Sequence, residues 1–160
     1  MKLADKDYEL LEVLNEDGNS SGKLEKREIV HNKQLYHNEI ALWIIDVENK
    51  QVLVQRRSKY KKQNPNKLAL CAGHVVGGET ISEALQKEAF EEIGVDITKY
   101  KVIELLKIKR QEKSNYCFSS HFAILERVPT ECMKIQEEEL SEVFYIDYEN
   151  LKDMIKQANP

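Results

Sequence analysis

Apolar and polar positions along the chain alternate in short runs and switch once to a helical period. Tyr8–Leu14 reads as a first strand, and residues 15–22, polar and carrying two glycines, as a turn. Ile40–Val47 is largely apolar and reads as a buried strand. Residues 48–50 form a short hairpin loop, and Gln51–Gln55 returns as the next strand. The basic stretch 58–67 contains Pro65 and reads as a loop, and Leu68–Val76 is extended. Tyr100–Lys109, Tyr116–Leu125 and Val143–Ile146 look like further strands, and Asn150–Gln157 like a closing helix.

The helical period falls in residues 81–93. At about 100° per residue, Ile81, Leu85, Ala89 and Ile93 share one apolar stripe. Gly77 and Gly78 mark a turn before it. Thr80 and Glu83 stand at capping-box spacing, and Gly94 suits the left-handed position after the last turn. Strands dominate on both sides of this helix, with one more helix at the end. That order predicts an α+β fold of layered sheet and helix, laid out as one domain over residues 1–160.

Glu88, Glu91 and Glu92 lie at i, i+3 and i+4 of the predicted helix, so the three carboxylates share a face. Like charges at this spacing repel by a few tenths of a kcal/mol each. A hard divalent cation reverses that sign. The segment 73–95 resembles the Nudix box: Gly73, Glu79, Glu88, Glu91, Glu92, Gly94 and Val95 match in register, with Ala89 at a bulky apolar position. Lys87 stands where the box has Arg. It keeps the charge but not the fork geometry.

The resemblance implies an α/β/α sandwich around a mixed, curved sheet, and Mg²⁺ or Mn²⁺ held by Glu88, Glu91 and Glu92. It also implies a small-molecule diphosphate substrate, such as a nucleoside diphosphate. The base is Glu91 or Glu139, and Glu79 orients a metal ligand through Lys87, with Gly73 beside them.

A second resemblance is to isopentenyl-diphosphate isomerase and its hydrolase relatives, carried by residues 22–26, His31, His37, residues 55–59, Gly73 and His74. It implies a second divalent metal at His31, His37 and His74, for which neutral imidazoles suit Zn²⁺ or Mn²⁺. It also implies that Arg57 and Lys61 meet the diphosphate. The chain departs from the isomerase at three points. Ala72 stands where the catalytic Cys belongs, Cys71 falls one residue early, and Asn115 and Cys117 replace two late-strand carboxylates. A diphosphate hydrolase is the reading these residues favour. An isomerase, and a sensor that binds a nucleotide or diphosphate without turnover, are the alternatives.

The 160 residues are 41% hydrophobic and 32% charged, with a net charge of −4. This balance gives no electrostatic case for general nucleic-acid or membrane binding. No apolar run is long enough to span a bilayer, and the first residues lack the apolar stretch of a signal peptide. Three widely spaced cysteines, Cys71, Cys117 and Cys132, fit reduced thiols in a cytoplasm. The assembly expected is a monomer or homodimer.

Overall fold

Ile40, Leu42 and Ile44 are buried on one side of a strand whose other side carries His37, Glu39 and Ala41. This alternation follows from the two-residue period of a strand, and it separates the core from a functional face. A computed structural model describes residues 6–158. Its strands are β1 (Leu10–Leu14), β2 (Ser20–Lys26), β3 (His37–Asp46), β4 (Gln51–Arg57), β5 (Leu68–Ala69), β6 (Cys71–His74), β7 (Val102–Glu112), β8 (Asn115–Ile124) and β9 (Leu140–Asp147). Its helices are α1 (Arg27–Asn32), α2 (Ile81–Ile93) and α3 (Tyr148–Ala158). The fold is α+β, a mixed sheet with three helices.

The main sheet runs β5-β4-β3-β8-β7, with β6 added on β3 and β9 on β4. Only β3 and β8 are parallel. β3 and β4 pair at Ile45–Val52 and Asp46–Gln51, beside their hairpin, and then part. Beyond that point β3 pairs with β6 and β4 with β5 and β9. The main cleft opens along this division.

The helix α2 forms where the sequence predicts it. Thr80 accepts from the Glu83 amide while the Glu83 carboxylate accepts from the Thr80 amide, a complete capping box. Gly94 closes the helix at φ +69°, a conformation costly for any residue with a Cβ. Ala84, Leu85, Ala89 and Ile93 are buried against Ile40, Leu42, Leu53 and Cys71. Burial of Leu85 alone contributes about 1.5–3 kcal/mol. Ala89, fully buried, keeps α2 close to the strands.

The structure departs from the sequence reading before residue 37. The polar turn ends at Asn19, since Ser20–Lys26 form β2 paired antiparallel with β1. This strand is almost wholly exposed, so no apolar alternation marks it. The short helix α1 also went unpredicted. It lacks a side-chain cap and buries only Val30. The segment 68–76 is split into β5 and β6, and β9 and α3 begin earlier than expected, at Leu140 and Tyr148. Among the described residues no helix is long and apolar enough to cross a membrane.

Thr80→Ala removes one half of the capping box. It should cost about 1 kcal/mol, lowering the melting temperature by about 2–4 °C in a chain of this size. Thermal unfolding followed by circular dichroism measures this. An unchanged melting temperature would show that packing alone holds the first turn.

Candidate functional site

A cleft of about 580 Å³ gathers most of the residues singled out from the sequence. Glu88, Glu91 and Glu92 of α2 line it, with Glu139 ahead of β9, Arg57 at the end of β4 and Lys61 in the loop that follows. His31 and His74 line it too. Two groups of side chains divide the cleft, and β6 runs between them. Its alternation turns Gly73 towards α2 and His74 towards the opposite side, where it pairs in register with Glu39.

The first group is the carboxylate floor. A Cβ on residue 73 would lie inside the van der Waals envelope of the Glu88 carboxyl, so any other residue there would displace this side chain. Burial, then the neighbouring Glu92, raise the Glu88 carboxyl to about 8, against the pull of Lys6 and Lys87. Burial likewise raises Glu92 to about 7, opposed by a hydrogen bond from Gln55 and reinforced by the charge of Glu139. The Gln55 Nε2 donates to Glu92 Oε2 at 2.7 Å. Glu91 stands towards the mouth and accepts from Lys6 at 2.9 Å. Glu139 is paired with Lys61 at 2.9 Å.

Glu88 is buried and Glu92 half-buried, both carboxyls are raised by burial, and Glu88 is raised further by Glu92, an arrangement that a bound cation would relieve. Glu88 and Glu92 would hold it, and they fit a hard divalent ion such as Mg²⁺ or Mn²⁺. Glu79 lies outside this floor. Its Oε1 meets Lys87 at 2.7 Å and its Oε2 accepts from the Val76 amide at 2.9 Å.

The second group is His31, His37, His74 and Glu39, whose ligand atoms all lie within 4.8 Å of one another. His31 comes from the last turn of α1, His37 and Glu39 from one face of β3, and His74 from β6. The Nε2 atoms of His31 and His74 are 3.1 Å apart. Glu39 Oε1 lies 3.3 Å from Nε2 of both His37 and His74. The Nδ1 of His37 faces the Leu35 carbonyl at 3.1 Å, which fixes the ring with Nε2 inward. Burial holds His74 well below the usual histidine range and lowers His31 as well. For Glu39 burial pulls upward, but hydrogen bonds from His37 and Asn115 outweigh it and lower the carboxyl. Imidazoles beside a carboxylate are the donor set that a transition metal takes.

Glu39 was missed by the sequence reading, which looked for carboxylates at positions 115 and 117. Those residues instead serve Glu39: Asn115 Nδ2 donates to it at 2.9 Å and the Cys117 thiol at 3.4 Å. The available signal was strand alternation, which puts Glu39 on the face of His37. Gln55, Lys6 and Arg27 were missed as well, and nothing in their spacing marks them. Cys71 is packed in the core and Ala72 faces the cleft. All three cysteines are free.

The NUDIX domain family model matches residues 35–160. The chain belongs to the NUDIX family. Nudix hydrolase 3 of Arabidopsis thaliana is 30% identical across 95% of this chain, which spans 21% of that protein. An isopentenyl-diphosphate Delta-isomerase of Mycolicibacterium vanbaalenii is 31% identical over 56% of this chain and 50% of its own length. The chain thus spans between a fifth and a half of these curated relatives. Among solved structures, DR0079 from Deinococcus radiodurans superposes with a TM-score of 0.76 at 21% identity, over 93% of this chain and 90% of that one. A MutT protein from Methanosarcina mazei gives 0.62 at 20% identity, over 74% and 82%. These structures share the fold.

Two predictions follow from the two groups. In metal-free protein, Glu88 and Glu92 bind protons more tightly folded than unfolded, so stability is greatest below the ordinary glutamate range. It is lost as pH rises from about 4.5 towards 8. The melting temperature should fall by more than about 3 °C over that window. The Glu88→Gln/Glu92→Gln double variant should flatten the fall, whereas an equal fall in the variant would place its origin elsewhere.

Calorimetric titration with Zn²⁺ should find about one tight site per chain at mildly alkaline pH, weakening as pH drops through about 6. His74→Ala or Glu39→Gln should weaken it by about ten- to a hundredfold or more. Absence of Zn²⁺ and Mn²⁺ binding in the wild type would leave the histidines as structural residues.

Proposed function

We propose that the chain is a divalent-metal-dependent hydrolase that splits the diphosphate linkage of a small molecule. The observation that carries this reading is the Glu88–Glu92 pair on the floor of a cleft whose rim bears Arg57 and Lys61. A cation held by Glu88 and Glu92 would supply charge screening and Lewis-acid polarisation of a diphosphate oxygen. Arg57 offers a planar fork to the same oxygens and Lys61 a point charge. Arg57 lines the cleft and its Nε donates to the Gln63 carbonyl at 3.2 Å.

A water oxygen attacks one phosphorus. The bridging P–O bond breaks and its oxygen leaves with the electron pair on the departing phosphate. The proton released from water passes to Glu91 or Glu139, each held in place by a lysine, Lys6 or Lys61. Gln55 orients Glu92 for its role, and Lys87 with Glu79 braces the start of α2. The retained acid–base candidates support turnover over binding alone.

Two features favour hydrolysis over allylic isomerisation. The cleft presents Ala72 where an isomerase would present a thiol. The carboxylate that meets the histidines comes from β3, while Asn115 and Cys117 occupy the late-strand positions. The histidine group, loaded with a transition metal, would form a second cationic anchor for substrate phosphate in the same cleft.

Glu92→Gln keeps the shape of the floor and removes one charge. Activity in a screen of diphosphate compounds with Mg²⁺ should fall by at least about a hundredfold, and Glu91→Gln against Glu139→Gln should identify the base by the larger loss. Activity within a few-fold of wild type in Glu92→Gln would overturn its role as a ligand. Appearance of dimethylallyl product from isopentenyl diphosphate would favour the isomerase.

A further inference from the structure

The walls of the cleft have an unusual chemistry for their size. Among the described residues only Leu68, Ala69 and Ala72 give them apolar side chains, and no Phe, Tyr or Trp reaches them. Tyr8 and Phe90 are exposed but lie outside the cleft's lining, and other aromatic residues pack elsewhere. Tyr36, Tyr116 and Phe118 form their own cluster, and Tyr100, Phe122 and Tyr145 pack on the main core. Tyr60 lines a separate groove. A purine or pyrimidine is held best by stacking on a Phe, Tyr or Trp ring, and an isoprenoid tail by a continuous apolar wall. The lining has no such ring or wall; its flat groups are His31, His74 and the guanidinium planes of Arg27, Arg57 and Arg110. The rim of the cleft carries Gln63, Asn64, Ser114 and Gln136 instead. Amide and hydroxyl side chains both donate and accept, which is what several adjacent hydroxyls require.

The cations add a direction. Arg57 lies one strand repeat, about 7 Å, beyond Gln55, whose amide holds Glu92. Among the described residues no carboxylate pairs with Arg57 or with Lys67, which stands across the same loop. Charge left for an anion therefore continues past the carboxylate floor and towards the amide rim.

We infer that the substrate is a diphosphate ester of a small polyhydroxyl group, a sugar or polyol, and that it is neither a nucleotide nor an isoprenoid diphosphate. This rests on the hydrolase reading and narrows it. Gln63 and Gln136 act on the hydroxyls, Arg57 and Lys67 on phosphate, and the products are a sugar or polyol phosphate and inorganic phosphate.

The test compares phosphoribosyl diphosphate, ADP and isopentenyl diphosphate with wild-type protein at equal Mg²⁺. The value of kcat/KM for phosphoribosyl diphosphate should exceed the other two by at least about tenfold. ADP or isopentenyl diphosphate hydrolysed as well or better overturns the inference and leaves the hydrolase reading standing. Hydrolysis of none of the three sinks the hydrolase reading. Competition binding then decides the inference: tighter retention of phosphoribosyl diphosphate than of ADP sustains it, and equal or weaker retention ends it.

A second arm uses Gln63→Leu with Gln136→Leu, both at exposed positions where folding is not at risk. KM for phosphoribosyl diphosphate should rise about fivefold or more with kcat within about twofold, while KM for isopentenyl diphosphate stays level or falls. An equal rise for all three compounds would show that the amides do not read hydroxyls.

Discussion

The close approach of α2 to β6 at Gly73 and Glu88 is the constraint on which the rest of the site depends. A carboxylate is driven against a bare backbone position and buried beside a second carboxylate. Neither group gains from this in the absence of a cation, since burial pushes both up, with Glu92 adding to it at Glu88 and Glu139 at Glu92. The fold must therefore hold the helix in place by other means. It does so with a capping box at Thr80, a left-handed glycine at Gly94, and an apolar stripe whose small member, Ala89, lets the helix sit low on the strands. The stability of the packing offsets the strain of the floor, and the strain is what a cation would relieve.

Much of this was legible in the sequence because it rests on local rules. The period, both caps and the carboxylate face of α2 follow from spacing within a dozen residues, and so do the strands with clear apolar runs. What was not legible lacks a local signature. β2 is exposed on nearly every residue, and α1 has neither a cap nor a stripe, so their existence depends on partners far away in the chain. Gln55 meets Glu92 only because β3 and β4 part beyond their hairpin and let α2 reach β4. Glu39 is the instructive omission. Its alternation with His37 was visible, but a lone glutamate in an apolar strand has no signature of its own until α1 and β6 bring His31 and His74 beside it.

The two groups in the cleft are organised by one short strand. β6 presents Gly73 to the carboxylates and His74 to the histidines, so each metal-binding chemistry is kept to its own side. Oxygen donors of rising pKa suit a hard ion, and imidazole nitrogens with one carboxylate suit a softer one. In the histidine group the carboxylate comes from β3. The parallel pairing of β3 with β8 sets His37 against Cys117, so side chains at 115 and 117 point into the group. With the charge supplied from β3, an amide and a thiol there serve better than two further carboxylates. They donate to Glu39 and do not repel it.

The same reasoning accounts for Lys87, the chief departure of the chain from its family pattern. An arginine at this position offers two parallel donors, which are useful when both oxygens of its partner carboxylate are open. Here Glu79 has only one to give, because its Oε2 already accepts from the Val76 amide at 2.9 Å. A single ammonium at 2.7 Å satisfies the remaining oxygen, and at 3.9 Å from Glu88 it also lowers the cost of the buried charge. The backbone amide of Val76 thus supplies the second half of the fork. The turn formed by Gly77 and Gly78 keeps that amide within reach, so the tolerance for lysine depends on the loop ahead of α2 as much as on the helix itself.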